Sequence, residues 1–268
     1  MTAVTSERAP KAAAQRSSLY VWLAVGMAAT AFIGFAPTFW LPMAQGLPEK
    51  IAVIAFHATL FYAWNFFLIY QTWLVASGNV ARHRDTGLIG VSLATAMVLV
   101  GTSASLNSLR RATDAGFAAG GESFLIVPLT ALVTFAVLVI AAIVNVRNSE
   151  WHKRFLIVAT AVILEAAIAR LFITFVVLGG HLPPFQGNVG LAGLGGPPPP
   201  VLGVLPTAFL CQLFPAAGMI YDWRTRGKVH PAWWWGVGFA LTLQLVKIPV
   251  SDTALWHSFA RWMLSLAS

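Results

Sequence analysis

Apolar residues dominate seven stretches of the chain, at about 19–42, 51–76, 87–107, 124–146, 155–179, 201–221 and 232–250. Short polar or turn-forming segments separate them. Each stretch approaches the roughly 20 residues that a helix needs to cross the hydrocarbon of a bilayer. The pattern predicts an all-α fold, a seven-transmembrane-helix bundle whose short connections make consecutive helices antiparallel. Residues 1–17 are polar, Ala-rich and basic, and read as a disordered N-terminal tail; 18–268 read as a single seven-helix membrane domain. The first apolar run, from about Leu19 to Trp40, exceeds the roughly 7–15-residue core of a signal peptide and reads as a retained first span. No internal repeat is evident.

Composition agrees with the pattern. Of 268 residues, 58% are hydrophobic and 10% charged, whereas a soluble domain carries about 25% charged residues. The formal charge of +8 does not point to nucleic acid, which calls for a basic face on a soluble domain. The basic residues lie instead in the connections. Arg8, Lys11 and Arg16 precede helix 1, Arg82 and Arg84 follow helix 2, Arg147, Lys153 and Arg154 lie between helices 4 and 5, and Arg224, Arg226 and Lys228 lie between helices 6 and 7. The other connections hold Lys50, Arg110, Arg111 and Arg261, partly offset by Glu49, Asp114, Glu122 and Asp252. The positive-inside rule then places the N-terminus in the cytoplasm and the C-terminus outside, in the cell's inner (plasma) membrane. The expected partners are the lipid bilayer and other membrane proteins. A single cysteine, Cys211, excludes an internal disulfide and a cysteine-based metal cluster. The uncharged loop of about residues 180–200 reads as a pliable outer connection ending in an extended Pro197–Pro200 segment.

Polar residues at membrane depth carry the chemistry. At about 1.5 Å per residue, His57 and His83 stand roughly 39 Å apart along helix 2 and its continuation, so they serve different sites. His57, Trp64 and Gln71 recur every seven residues and share a stripe, flanked by Asn65. Such a stripe faces the bundle, where it forms either interhelical hydrogen bonds or a ligand site. Helix 5 carries Glu165 and Arg170, rotated about 140° apart, so each is expected to find a partner on another helix. Helix 7 carries Gln244, Lys247 and Ser251 on one stripe, with Asp252 beyond; helix 3 ends in "TSASLNS", which includes Asn107. His57, Trp64, Asn65, Asn107, Glu165, Arg170, Gln244, Lys247 and Asp252 are therefore the candidates for an outward-opening polar pocket. Within it His57, Arg170 and Lys247 are expected to line one cavity that attracts an anion. At the inner face His83 with Arg84, and His152 with Arg154, suit a haem b: imidazoles for the iron, cations for the propionates. The alternative is a basic collar against anionic headgroups.

The "HRDTG" run at 83–87, the "WHKR" run at 151–154 and Arg170 near the end of the same helix resemble a family of bacterial multi-pass inner-membrane proteins. In that family a His-Arg-x-x-Gly element and a His-basic element bracket two helices; the likeness covers roughly residues 50–175. The histidines also resemble, more loosely, those of transmembrane b-type cytochromes of the ascorbate-dependent kind, which pair histidines near both faces. That resemblance implies an inner pair, His83 and His152. An outer partner for His57 would have to be His181 or His257, because helix 4 has no histidine. A lysine in the last of seven helices is similar to retinal proteins, but helix 3 has no carboxylate for a counter-ion. The expectation is a haem-binding or redox-active membrane protein, or else a non-enzymatic small-molecule or lipid binder or accessory subunit of a membrane complex.

Overall fold

The computed structural model describes residues 8–46, 52–177, 179 and 197–266. Glu49, Lys50, His181 and the loop as far as residue 196 lie outside the described residues. Among the described residues every regular element is a helix. Helix α1 (Arg8–Phe35) begins within the expected tail and continues through a π-helical turn (Ala36–Trp40) into the short α2 (Leu41–Ala44). Pro37 lies in that turn; it has no N–H to give the regular ladder, and the helix widens there. Helices α3 (Ala52–Ala76) and α4 (Val80–Asp114) form a hairpin. Asn79 caps α4 by accepting the Arg82 N–H at 3.3 Å, which starts that helix seven residues before the expected span.

The short α5 (Ala118–Phe124) leads into α6 (Ile126–Val144). Then α7 (Ser149–Ile163), capped by Asn148, joins α8 (Glu165–Phe172) at a bend of 41°. At that bend the Leu164 N–H bonds the Ala161 carbonyl, three residues back rather than four. A second π turn (Ile173–Val177) ends α8. After Val201 a second broken span follows, α9 (Leu205–Cys211) and α10 (Leu213–Arg226), interrupted at Gln212 by the same tightened bonding. Helix α11 (Pro231–Ser251) runs back across the bundle.

Five helices are long and apolar enough to cross a membrane, or six if the bent α7–α8 pair is one span. The chain is thus an all-helical, multi-pass membrane protein by length and composition. The core lies between α1, α3, α4, α6, α7 and α11, around Met27, Trp64, Met97, Phe135, Val158 and Trp233. Helix α7 is central, packed on α1, α6, α10 and α11.

The sequence pattern missed α12 (Ala254–Leu266), a helix too short to span a bilayer. It folds back over α5 and the end of α4. Trp256 Nε1 donates to the Glu122 carbonyl at 2.8 Å, and the Glu122 carboxylate meets His257 Nδ1 at 2.6 Å and Arg261 Nη1 at 2.9 Å.

Candidate functional site

Three polar clusters lie at three levels of the bundle. The first closes the basic end, where the α3–α4, α6–α7 and α10–α11 connections gather. The Arg154 side chain is fully buried there. Its Nε and Nη2 bind Asp222 of α10 in a fork, with contacts of 2.9, 2.7 and 2.6 Å. Its Nη1 donates to the Glu150 carbonyl at 2.8 Å and carboxylate at 2.9 Å. Trp233 Nε1 of α11 also donates to Asp222, at 2.9 Å. That bond is possible because Gly218, one turn before Asp222, leaves room for the Trp233 ring where a Cβ would collide with it. Lys153 turns to Glu150 at 2.6 Å and lies 4.9 Å over the Tyr20 ring of α1. Arg226 completes the group against Glu150. A planar guanidinium gripped by a carboxylate fixes register and angle between helices. Nearby, burial and the Arg154 charge push the His230 imidazole below its ordinary value.

The second cluster lies inside the bundle, at the break between α7 and α8. Glu165 accepts from Lys247 Nζ at 3.2 Å and from Gln244 Nε2 at 2.8 Å, both on α11. All three are buried, as is Ser251 on the same stripe. Cys211 lies within electrostatic reach of Glu165 and Lys247. Gln244 Oε1 and both amide atoms of Gln212 are buried without a hydrogen-bond partner among the described residues.

The third cluster lies towards the far end, around Arg170. Gly34 of α1 meets Ala167 of α8 backbone to backbone; a Cβ there would stand 2.5 Å from the Ala167 carbonyl oxygen. This contact brings the next turn of α1 beneath the next turn of α8. The Arg170 guanidinium then lies 4.4 Å over the Phe35 ring, and Nε donates to Thr38 Oγ1 at 3.1 Å. Nη1 donates to the Ala166 carbonyl at 2.8 Å. Tyr62 and Trp40 form the adjoining wall, joined by a 3.1 Å bond from Trp40 Nε1 to Tyr62 Oη. His57 packs on Phe61 with ring centroids 4.1 Å apart, within electrostatic reach of the Arg170 charge. Its Nδ1 is buried and has no hydrogen-bond partner among the described residues. Among the described residues Arg170 has no acidic partner. The two π turns, Ala36–Trp40 and Ile173–Val177, flank this cluster on its two helices.

The expected single cavity of His57, Arg170 and Lys247 is therefore divided. His57 and Arg170 come together; Lys247 belongs to Glu165. Glu165 and Arg170 do find partners on different helices, as their angular separation requires. Asp252 lies apart, accepting from Ser123 Oγ at 2.8 Å. Trp64 donates to Thr160 at 3.1 Å and is a packing group; Asn65 donates to the Phe61 carbonyl at 2.8 Å but keeps a buried Oδ1 without a partner among the described residues. In "TSASLNS" the Thr102, Ser103 and Ser105 hydroxyls bond carbonyls four residues back on their own helix, which removes them from any pocket. Asn107 keeps a buried Oδ1 with no hydrogen-bond partner among the described residues.

For a haem at the basic end the imidazoles fit and one cation does not. His83 and His152 face each other with centroids 6.3 Å apart. Arg154, expected to meet a propionate, is committed to Asp222 and Glu150; Arg84 remains exposed. The functional residues that sequence reasoning missed are Asp222, Glu150, Trp233, Thr38 and Tyr62. Only Asp222, an acid near the end of an apolar run, carried a signal. Among the described residues no three of His, Cys, Asp or Glu gather as a metal-binding group. Comparisons with protein-family models, curated proteins and solved structures find no match to the chain.

Proposed function

We propose that the chain is a seven-span protein of the inner membrane, with its N-terminus in the cytoplasm, and that it binds a small apolar carboxylate through Arg170. The carrying observation is the Arg170 guanidinium, set among Phe35, Tyr62 and Trp40 beside His57 with no acidic partner among the described residues. In this reading α11 is the seventh span. Its Gln244 and Lys247 lower its hydropathy but point into the bundle. The alternating loop charge supports the orientation, and it puts Arg170 in the outer half of its span.

The energetics support an anion. Thr38 and Ala166 each contribute roughly 1.5–3 kcal/mol as neutral acceptors for a charged donor. The Phe35 face adds up to about 2 kcal/mol where water is excluded. Arg170 is half-buried, so these contacts offset part of a desolvation cost smaller than that of a fully buried ion, and leave the positive charge unneutralised. A ligand carboxylate supplies the missing charge, and the aromatic walls suit an apolar body. Ligand binding is favoured over a redox reading because the tested cation of the haem site, Arg154, is taken. Octanoate added to the protein in detergent should quench tryptophan fluorescence through Trp40 with saturation. R170Q should abolish that saturable signal without lowering the melting temperature as far as a broken core pair does. Saturation unchanged in R170Q removes the proposal.

A further inference from the structure

We infer that α12 is an interfacial helix: it lies flat in the lipid headgroup layer, at the end of the bundle opposite the Arg154 cluster, with one apolar stripe inserted among the acyl chains. The inference is independent of the Arg170 site and holds whichever end of the bundle faces outward. It starts from spacing. Leu255, Phe259, Trp262 and Leu266 recur at steps of four, three and four residues, which puts them on one helix face. All four are exposed, Leu255 to 82% and Leu266 to 65%. At about 100° per residue the stripe is turned about 130° from the row that packs on the protein, Trp256, Ala260 and Leu264. A third sector, Ser258, Arg261 and Ser265, is polar and exposed. It stands about 130° from the packed row on the other side. A helix at a protein–water boundary needs two sectors, one packed and one polar. A third, apolar and exposed, is what a helix carries when protein, water and lipid all touch it.

The level in the bundle fits. Helix α12 packs on Leu106 and Leu109 of α4 and on Leu125 and Leu129, where α5 passes into α6. Arg110, Arg111 and Asp114 follow at once and end α4. With 35 residues α4 is about 52 Å long, so it outreaches the roughly 30 Å of hydrocarbon, and its charged end lies among headgroups. The turn out of α11 is fixed by hydrogen bonds. Asp252 accepts from Ser123 at 2.8 Å, and Thr253 Oγ1 accepts the Trp256 N–H at 3.2 Å. Trp256, His257 and Arg261 then all reach Glu122. The surroundings decide what covers the stripe. Helices α4 and α6, which carry α12, themselves expose Leu99, Val133, Val137 and Ile140, as spans do towards acyl chains. Trp262 suits the interface, where an amphipathic ring is favoured. The helix has no acidic side chain, and the Arg261 side chain is 58% exposed, so it can meet lipid phosphate. A second copy of the chain is disfavoured: a stable interface takes about 20–30 residues a side, and the stripe offers four.

The test places a nitroxide on one introduced cysteine at a time, in the full-length protein reconstituted into phosphatidylcholine vesicles. L255C, W262C and L266C report on the stripe, S258C and S265C on the polar sector. Each replaces an exposed side chain, so the fold is not at risk. Cys211 is buried, and the protein without an added cysteine gives its background. Accessibility to oxygen, which concentrates in lipid, is compared with accessibility to a water-soluble nickel chelate. The expected ratio of oxygen to nickel accessibility is at least about fivefold higher at 255, 262 and 266 than at 258 and 265, with the stripe about 5–10 Å into the boundary between headgroups and chains. Leu255 and Leu266 stand about 16 Å apart along the axis, so equal depths at both show a helix lying in the membrane plane. Three results overturn the inference. Nickel favoured on the stripe means that water covers it. Spin–spin broadening between chains at the stripe positions means that a second copy covers it. Depths that differ by most of the axial spacing mean that the helix is inserted end-on.

Discussion

Replacing Asp222 by alanine should be among the most damaging single changes in this chain. The substitution removes three contacts to Arg154 of 2.6–2.9 Å and the acceptor of the Trp233 indole. It leaves a guanidinium with no solvent exposure dependent on Glu150, which is itself shared with Lys153 and Arg226. Breaking one partner out of a buried pair costs about 3–5 kcal/mol, between two and nearly four orders of magnitude in the folding equilibrium. R154M alone should cost a similar amount, by stranding the carboxylate. The double variant R154M/D222L should recover most of the loss, because a hydrophobic pair of similar volume is neutral or stabilising in such sites. Reversible unfolding of the wild type, R154M, D222L and R154M/D222L in mixed micelles gives the coupling energy directly. A loss below about 1 kcal/mol in D222A, or additive losses in the double variant, would refute the reasoning and return Arg154 to the pool of available cations.

The mid-bundle pair should behave alike: K247M should destabilise by about 3–5 kcal/mol and E165L/K247M by much less, measured in the same unfolding assay. G34L should push α1 off Ala167, cost about 1–3 kcal/mol as overpacking, and weaken carboxylate quenching with Arg170 still present. For topology, a reporter active only outside should work when fused after Ser268, and a cytoplasm-only reporter within residues 222–230; activity of both on one side of the membrane would remove a span. E122Q should loosen α12, seen as faster amide exchange in Ala254–Leu266 while α11 keeps its protection.

Five or six of the seven expected spans were legible in the sequence because lipid leaves so little choice. A segment that enters hydrocarbon must be apolar for about 20 residues and satisfy its own backbone, so composition alone marks it. The inward direction of the Trp64–Gln71 and Gln244–Lys247–Ser251 stripes followed from helical period, and these residues are buried. Period says which way a residue points on its helix and nothing about what it meets there. Helix-to-helix choices rest on close approach, and those appear only in three dimensions. Gly34 against Ala167 decides that Arg170 meets Phe35 of α1 and Thr38 of the π turn that follows it. The rotation and depth of α11 decide that Lys247 meets Glu165 rather than joining Arg170. Arg154 read as one member of a basic loop, and nothing in the sequence tied it to Asp222, 68 residues away. α12 escaped notice because its 13 residues lack the length that identifies a span. Lipid selects each helix by its own composition, one segment at a time, so the spans could be read singly; partners are selected by shape and charge between segments distant in the chain, so only the tertiary structure decided them.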